Sequence, residues 1–114
     1  MPPSPIDYLH HILDECNYLL HETQNLPRAE FLRDQTLRRA FVRSLEIIGE
    51  AAKHLPEGLR QHYPIIEWRS ITGMRDRLIH AYFGVDYELV WDVIVNKIPS
   101  LQQEVERMIR EISE

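Results

Sequence analysis

The chain has 114 residues, the length of one domain with one hydrophobic core, so we expect a single domain over residues 1–114. Its 44% hydrophobic and 27% charged residues, with only 4 glycines, exclude a disordered or collagen-like chain. The single cysteine, Cys16, excludes an intrachain disulfide and a multi-cysteine zinc site, and its leucine-rich surroundings predict a core residue. There is no membrane-length apolar run and no charged-then-apolar leader, so we expect a cytoplasmic protein without a membrane partner.

The net charge of −5 is unevenly distributed and argues against a protein that coats nucleic acid. Residues 1–27 carry four acids and no Lys or Arg, residues 28–77 carry ten basic and seven acidic side chains, and residues 78–114 carry three and seven. Eleven of the thirteen basic residues are arginine, whose planar fork binds phosphate or carboxylate. Anion binding and salt bridges on helix surfaces both remain open.

The first predicted helix begins with Ser4 as the N-cap and Pro5 at the first helical position. Apolar residues recur at helical spacing until the helix ends near Asn25 and Pro27: Ile6, Leu9, Leu13, Cys16 and Leu20.

The second predicted helix runs from about Ala29 to Leu55, and Pro56 and Gly58 stop it. It carries a basic face made of four arginines: Arg33, Arg38, Arg39 and Arg43. Such a face is either simply solvated or a track for an RNA backbone, and the sequence leaves both open.

Two further helices complete the predicted fold. The third opens at Pro64 and continues until residues 83–86 break it, with Trp68, Ile71, Arg75, Leu78 and Tyr82 on one stripe. The last has a heptad-like seam across Pro99, which predicts a kink with the same face still buried: Tyr87, Trp91, Ile94, Ile98, Leu101, Val105, Met108 and Ile112. The pattern predicts an all-α antiparallel bundle of four to five helices, whose apolar surplus serves as core or as a homodimer interface.

Arg75 is unusual because it shares a stripe with apolar residues, where an unpaired guanidinium would cost several kcal/mol. Something negative should therefore meet it. One candidate is a carboxylate on a neighbouring helix, Glu46 or Glu50, and the other is a phosphate.

His80 and Tyr82 follow Arg75 by five and seven residues. On an ideal helix Tyr82 falls close to Arg75, whereas His80 lies about 140° away, so Arg75 and His80 converge only if the helix frays or a second subunit supplies its own copy. A histidine that exchanges protons beside an arginine that holds phosphate suits metal-independent RNA cleavage by the ribose 2′-hydroxyl. A capping or core hydrogen-bonding role for His80 is the alternative.

Metal and cofactor motifs are weak in this sequence. Two pairs have the i, i+4 spacing of shared metal ligands, His10 with Asp14 and Glu50 with His54. There is no Glu-x-x-His or H-E-x-x-H motif and no glycine-rich phosphate loop. We therefore expect no metal and no cofactor.

Two stretches resemble the HepT-like branch of the HEPN superfamily, and the match extends over essentially the whole chain. They run from Trp68 to Asp86 (WRSITGMRDRLIHAYFGVD) and from Ser44 to Lys53 (SLEIIGEAAK). The family motif R-x4-H-x-Y is matched by Arg75, His80 and Tyr82. The resemblance implies an all-α homodimer that cleaves RNA without a metal, as the toxin of a toxin–antitoxin pair.

The resemblance also implies roles for residues and a partner. Arg75 would hold the scissile phosphate of a tRNA or mRNA, and His80 would act as general acid or base. Tyr82 would accept AMP from a minimal nucleotidyltransferase (MNT) antitoxin, which silences the nuclease. Asp76 stands where the superfamily often has Asn, and a supporting role, in orienting Arg75 or His80, is one interpretation.

Two other functions stay open at this point. The first is a noncatalytic adaptor that presents a target to a nucleotidyltransferase. The net negative charge favours this function. The second is a dimeric structural protein whose Arg75 is salt-bridged within its own fold. Intact Arg75 and His80 favour the nuclease, because an adaptor has no physical need for that pair.

Overall fold

A computed structural model describes residues 3–79 and 84–114, and confirms the all-α prediction. Over those residues it contains seven helices and no strand: α1 (Pro5–Thr23), α2 (Arg28–Arg33), α3 (Gln35–Lys53), α4 (Glu57–Gln61), α5 (Trp68–Ile79), α6 (Tyr87–Asn96) and α7 (Ile98–Ser113). None of these helices is both long and apolar enough to cross a bilayer.

The start of α1 follows the predicted capping chemistry. Both the backbone N–H and the hydroxyl of Ser4 donate to the Asp7 carboxylate, at 2.9 and 3.1 Å, and Pro5 is the first helical residue. After α1 the chain turns through Asn25, which has a positive φ of 60°. The prediction for both ends of this helix is confirmed.

The predicted second helix is divided in two at Asp34. Its carboxylate accepts a hydrogen bond from the backbone N–H of Leu37 at 3.0 Å, so Asp34 caps a new helix, α3. The extended backbone of Asp34 (φ −94°, ψ 102°) ends α2. The prediction of one continuous helix from Ala29 to Leu55 was therefore wrong at this point.

The last predicted helix is also divided, at Lys97. Pro99 lies in the first turn of α7, where its missing N–H breaks no helical hydrogen bond. The apolar phase continues across the break as predicted, because Ile94, Ile98, Leu101, Val105 and Met108 are all buried. The short helix α4 was not predicted, and the third predicted helix begins at Trp68, after Pro64.

The core lies where α1 packs against α3 and α7, with α6 on α7 and α5 on α3. Phe31 of α2 stacks on Phe41 of α3 at 5.1 Å and lies 5.3 Å from the Trp91 ring of α6, which joins three helices. Cys16 is fully buried, and burial raises the pKa of its thiol to about 12. The prediction of a core cysteine is confirmed.

Candidate active site

The site begins with the close approach of α5 to α3. Gly49 of α3 lies directly under Arg75: a Cβ at Gly49 would overlap the Cβ of Arg75 and come within 3.0 Å of the carbonyl oxygen of Ile71. Only a glycine allows the two backbones to lie this close. Glycine at this position therefore fixes the depth at which Arg75 sits beside α3.

Arg75 contacts two carboxylates from this position. Its Nη2 lies 2.8 Å from Oε2 of Glu50 on α3, and its Nη1 donates to Oδ1 of Asp76 at 2.9 Å. The side chain of Arg75 is 23% exposed and that of Glu50 is 45% exposed, so the pair lies at the edge of solvent. The sequence left Glu46 and Glu50 open as partners of Arg75 on a neighbouring helix, and the partner is Glu50.

The contacts extend from Glu50 to α1. His54 and Glu50 form a hydrogen bond between Nε2 and Oε1 at 3.1 Å, and the His54 ring stacks on Tyr8 with centroids 5.0 Å apart. Nζ of Lys53 lies 3.9 Å from Oδ1 of Asp76, the same oxygen that contacts Nη1 of Arg75. Ion pairs, a hydrogen bond and one ring stack therefore connect α5 through α3 to α1.

Over the described residues, charge in this cluster is balanced. Two carboxylates, Glu50 and Asp76, face two fixed cations, Arg75 and Lys53. A guanidinium binds carboxylate and phosphate with the same planar fork, so a phosphate that reaches Arg75 competes with Glu50 and Asp76. An anion can thus bind Arg75 by displacing Glu50 or Asp76. Until then these two carboxylates orient the guanidinium.

The structure brings together some of the predicted site residues. Arg75 and Asp76 are in contact, whereas His80 and Tyr82 lie outside the described residues. Glu50 and His54, weighed as a metal pair from their spacing, form a hydrogen bond instead. Over the residues that the structure describes, no group of three His, Cys, Asp or Glu side chains has the arrangement of a metal site.

The predicted basic face of four arginines is divided by the fold. Arg33 belongs to α2, and the half-buried Arg38 lies 4.6 Å above the centroid of the Tyr87 ring. Arg39 and Arg43 alone remain exposed together on α3. The sequence pattern did not separate them because it treated α2 and α3 as one helix.

Comparison with known proteins places this architecture in a family. The family model "Ribonuclease HepT-like" matches residues 12–108, which include α5 and the cluster of Glu50, Arg75 and Asp76. The chain belongs to the HepT-like ribonuclease family. The predicted resemblance is therefore confirmed, and the prediction of a ribonuclease is confirmed at the level of the family.

Individual relatives match over nearly their whole length. A protein of Caldanaerobacter subterraneus named "Putative RNase" is 46% identical over 94% of this chain and 96% of its own. A Methanocaldococcus jannaschii protein with the same description is 41% identical, over 92% and 87%. "Probable ribonuclease HepT" of Thermococcus cleftensis is 40% identical, over 95% and 98%. No solved structure matches this chain at a significant level.

Proposed function

We propose that this chain is a metal-independent endoribonuclease that acts as the toxin of a toxin–antitoxin pair in the cytoplasm. The main support is the position of Arg75, the arginine of the motif, which lies at the edge of solvent between Glu50 and Asp76. An arginine oriented in advance stabilises charge that develops on a phosphate without reorganising during the reaction. Family membership supports RNA as the substrate.

The proposed reaction is an internal transesterification. The ribose 2′-oxygen forms a bond to the adjacent phosphorus, and the bond from phosphorus to the 5′-oxygen breaks. The 2′-hydroxyl loses a proton and the leaving 5′-oxygen gains one, which yields a 2′,3′-cyclic phosphate and a 5′-hydroxyl. Arg75 holds the phosphate, and His80 carries one of these protons near neutral pH.

A homodimer completes the proposed site. On an ideal helix His80 would lie about 140° from Arg75, so a single α5 presents both residues to the same atom only if the helix frays before His80. Two copies that pair their α5 segments supply the missing group from the partner. Asp76 acts in this arrangement as a supporting residue that orients Arg75, since the two side chains are in contact at 2.9 Å.

The proposed antitoxin is a minimal nucleotidyltransferase that attaches AMP to Tyr82. The phenol oxygen of Tyr82 attacks the α-phosphate of ATP and releases pyrophosphate, forming a phosphodiester. This adds negative charge two residues from His80, where RNA phosphate has to bind, so both repulsion and bulk oppose the substrate.

One observation favours a noncatalytic protein, either the adaptor or the dimeric structural protein, as the second candidate. Arg75 is already paired with two carboxylates of its own chain, as a structural arginine would be. An adaptor would bind the nucleotidyltransferase and leave RNA intact.

Cleavage of labelled RNA in EDTA separates the two candidates. We expect the wild-type protein to cut RNA in the chelator, the folded His80→Ala variant to be inactive, and folded Arg75→Lys to cut RNA far more slowly. The products should end in a 2′,3′-cyclic phosphate. Folded wild-type protein that leaves a broad RNA pool intact would contradict the nuclease and support the adaptor.

A further inference from the structure

The exposed face of α3 carries two arginines that the catalytic proposal does not use. Arg39 and Arg43 are both exposed, and among the described residues neither has a carboxylate within 4.0 Å. Two neighbouring arginines are engaged instead: Arg28 lies 3.6 Å from Glu88, and Arg38 covers the Tyr87 ring. Arg39 and Arg43 thus form a pair of uncompensated charges, in a chain whose net charge is −5.

Helix geometry places this pair in line with the candidate active site. At 100° per residue, Arg39 and Arg43 each project within about 20° of the direction of Glu50. Along the axis of α3 they precede Glu50 by about 16 Å and about 10 Å. Because α3 is unbroken from Gln35 to Lys53, this face leads directly to the carboxylate that contacts Arg75.

The spacing of the pair suits a chain of phosphates. Arg39 and Arg43 are four residues apart, which is about 6 Å along the helix axis. This is close to the separation of neighbouring phosphates in an extended RNA strand. Glu46, the one acid between Arg43 and Glu50 on α3, is half-buried and forms no ion pair with either arginine in the described part of the chain.

We propose that Arg39 and Arg43 bind backbone phosphates of the RNA strand whose scissile phosphate lies at Arg75. The inference rests on the proposed ribonuclease function and adds a substrate-binding subsite to it. Guanidinium groups that follow a strand bind it through its phosphates without reading bases. The subsite therefore contributes affinity and register for a single strand, and no base preference.

Substrate length is the property that this subsite should control. An oligonucleotide of about three nucleotides centred on Arg75 is too short to reach along two turns of α3, whereas one of about twelve nucleotides covers both arginines. Loss of Arg39 and Arg43 should consequently weaken the binding of long RNA and leave the binding of short RNA unchanged.

Fluorescence anisotropy with two RNA probes tests this directly. The probes are fully 2′-O-methylated, fluorescein-labelled mixed-sequence oligonucleotides of about three and about twelve nucleotides, which lack the 2′-hydroxyl and so cannot be cleaved. The proteins are the wild type, Arg39→Gln, Arg43→Gln, the double variant and Arg110→Gln. Arg110 is the matched control, because it is an exposed arginine on α7, a helix that packs against α1 and α6.

The expected result is specific to the pair and to length. Each single variant should bind the long probe several-fold more weakly and lower the slope of log K against log salt by about 0.7. Arg110→Gln should match the wild type on both probes, and all five proteins should bind the short probe equally.

Two outcomes would overturn the inference, and neither is confused with failure of the proposed function. If the wild type cleaves unmodified RNA but the double variant binds the long probe as the wild type does, the subsite is wrong and the nuclease stands. If light scattering shows that the double variant changes oligomeric mass while RNA binding is unchanged, the pair serves contact with a second copy. A wild type that neither binds nor cleaves RNA contradicts the proposed function itself.

Discussion

Arg75 on α5 and Glu50 on α3 form an ion pair of 2.8 Å across the contact between their helices. Both side chains are partly exposed, and ion pairs at such positions contribute about 0–1 kcal/mol to folding stability. Stability alone is therefore a weak reason for placing an arginine here. The proposed function supplies another reason: Arg75 is an anion-binding group that Glu50 and Asp76 hold in place.

Replacement of Arg75 by lysine should separate folding from catalysis. Arg75→Lys keeps the positive charge beside Glu50 and loses the planar fork, so the free energy of unfolding should stay within about 1 kcal/mol of wild type. RNA cleavage should fall by about 100-fold or more, the usual effect of removing a group that stabilises transition-state charge. Urea melts and initial cleavage rates measure the two quantities. Cleavage at the wild-type rate would remove the fork of Arg75 from the mechanism.

Glu50 should position Arg75, so neutralising Glu50 should lower both kcat and KM, each for its own reason. In Glu50→Gln the guanidinium loses its ionic partner on α3. We expect kcat to fall about tenfold because Arg75 is less well oriented, and KM to fall because a competing negative charge is gone. Glu46→Gln is the matched control, since it removes the same charge from the same helix without a described contact to Arg75. Equal effects of the two variants would argue against a positioning role for Glu50.

Gly49 should be intolerant of even one added carbon. Its Cβ would overlap that of Arg75, so α5 has to move, and overpacking of this kind costs about 1–3 kcal/mol. Gly49→Ala should therefore unfold at lower urea and cleave RNA more slowly. Gly58→Ala on α4 is the control, because nothing lies within 4 Å of the added carbon. If both variants melt alike, α3 and α5 have room for a side chain at Gly49.

Acid should weaken the hydrogen bond between Tyr63 and Glu111, near the C-terminal end of α7. The hydroxyl of Tyr63 donates to Glu111 at 2.6 Å, which lowers the pKa of that carboxyl. A lowered folded-state pKa gives stability that is present above the unfolded value and is lost as pH falls through the folded value. Tyr63→Phe should thus cost stability near neutral pH and less in acid, as urea melts at several pH values would show. Tyr18→Phe, which removes a hydroxyl without a described hydrogen bond, should show no such pH dependence.

Tyr82 should carry AMP after incubation with the partner nucleotidyltransferase and ATP. Intact-mass spectrometry should show the added nucleotide on the wild type and none on Tyr82→Phe, which lacks the nucleophilic oxygen. RNA cleavage should decline in proportion to modification. Full neutralisation of unmodified protein would instead mean that the partner inhibits by binding.

Much of the fold was predictable because capping and apolar spacing are local. Ser4, Pro5 and the stripe from Ile94 to Met108 behave as their spacing indicated. The division at Asp34 was missed because apolar spacing continues across it, and only the hydrogen bond to Leu37 distinguishes a cap from an exposed aspartate within a helix.

The site was predictable in kind but not in detail. A guanidinium on an apolar stripe requires an anion, and the sequence offered Glu46 and Glu50 equally. The choice between them depends on how α5 lies along α3, which the close contact at Gly49 sets in three dimensions. The stacking of His54 on Tyr8 joins residues distant in sequence and left no signal in the spacing of either.

Growth of a host that expresses the wild type or His80→Ala, each with and without the partner nucleotidyltransferase, shows whether this protein is a ribonuclease toxin. We expect the wild type alone to arrest growth, the nucleotidyltransferase to relieve the arrest, and His80→Ala to be folded and harmless. Equal growth of both strains, with both proteins folded and expressed, would contradict the ribonuclease toxin and leave Arg75 as half of a structural ion pair with Glu50.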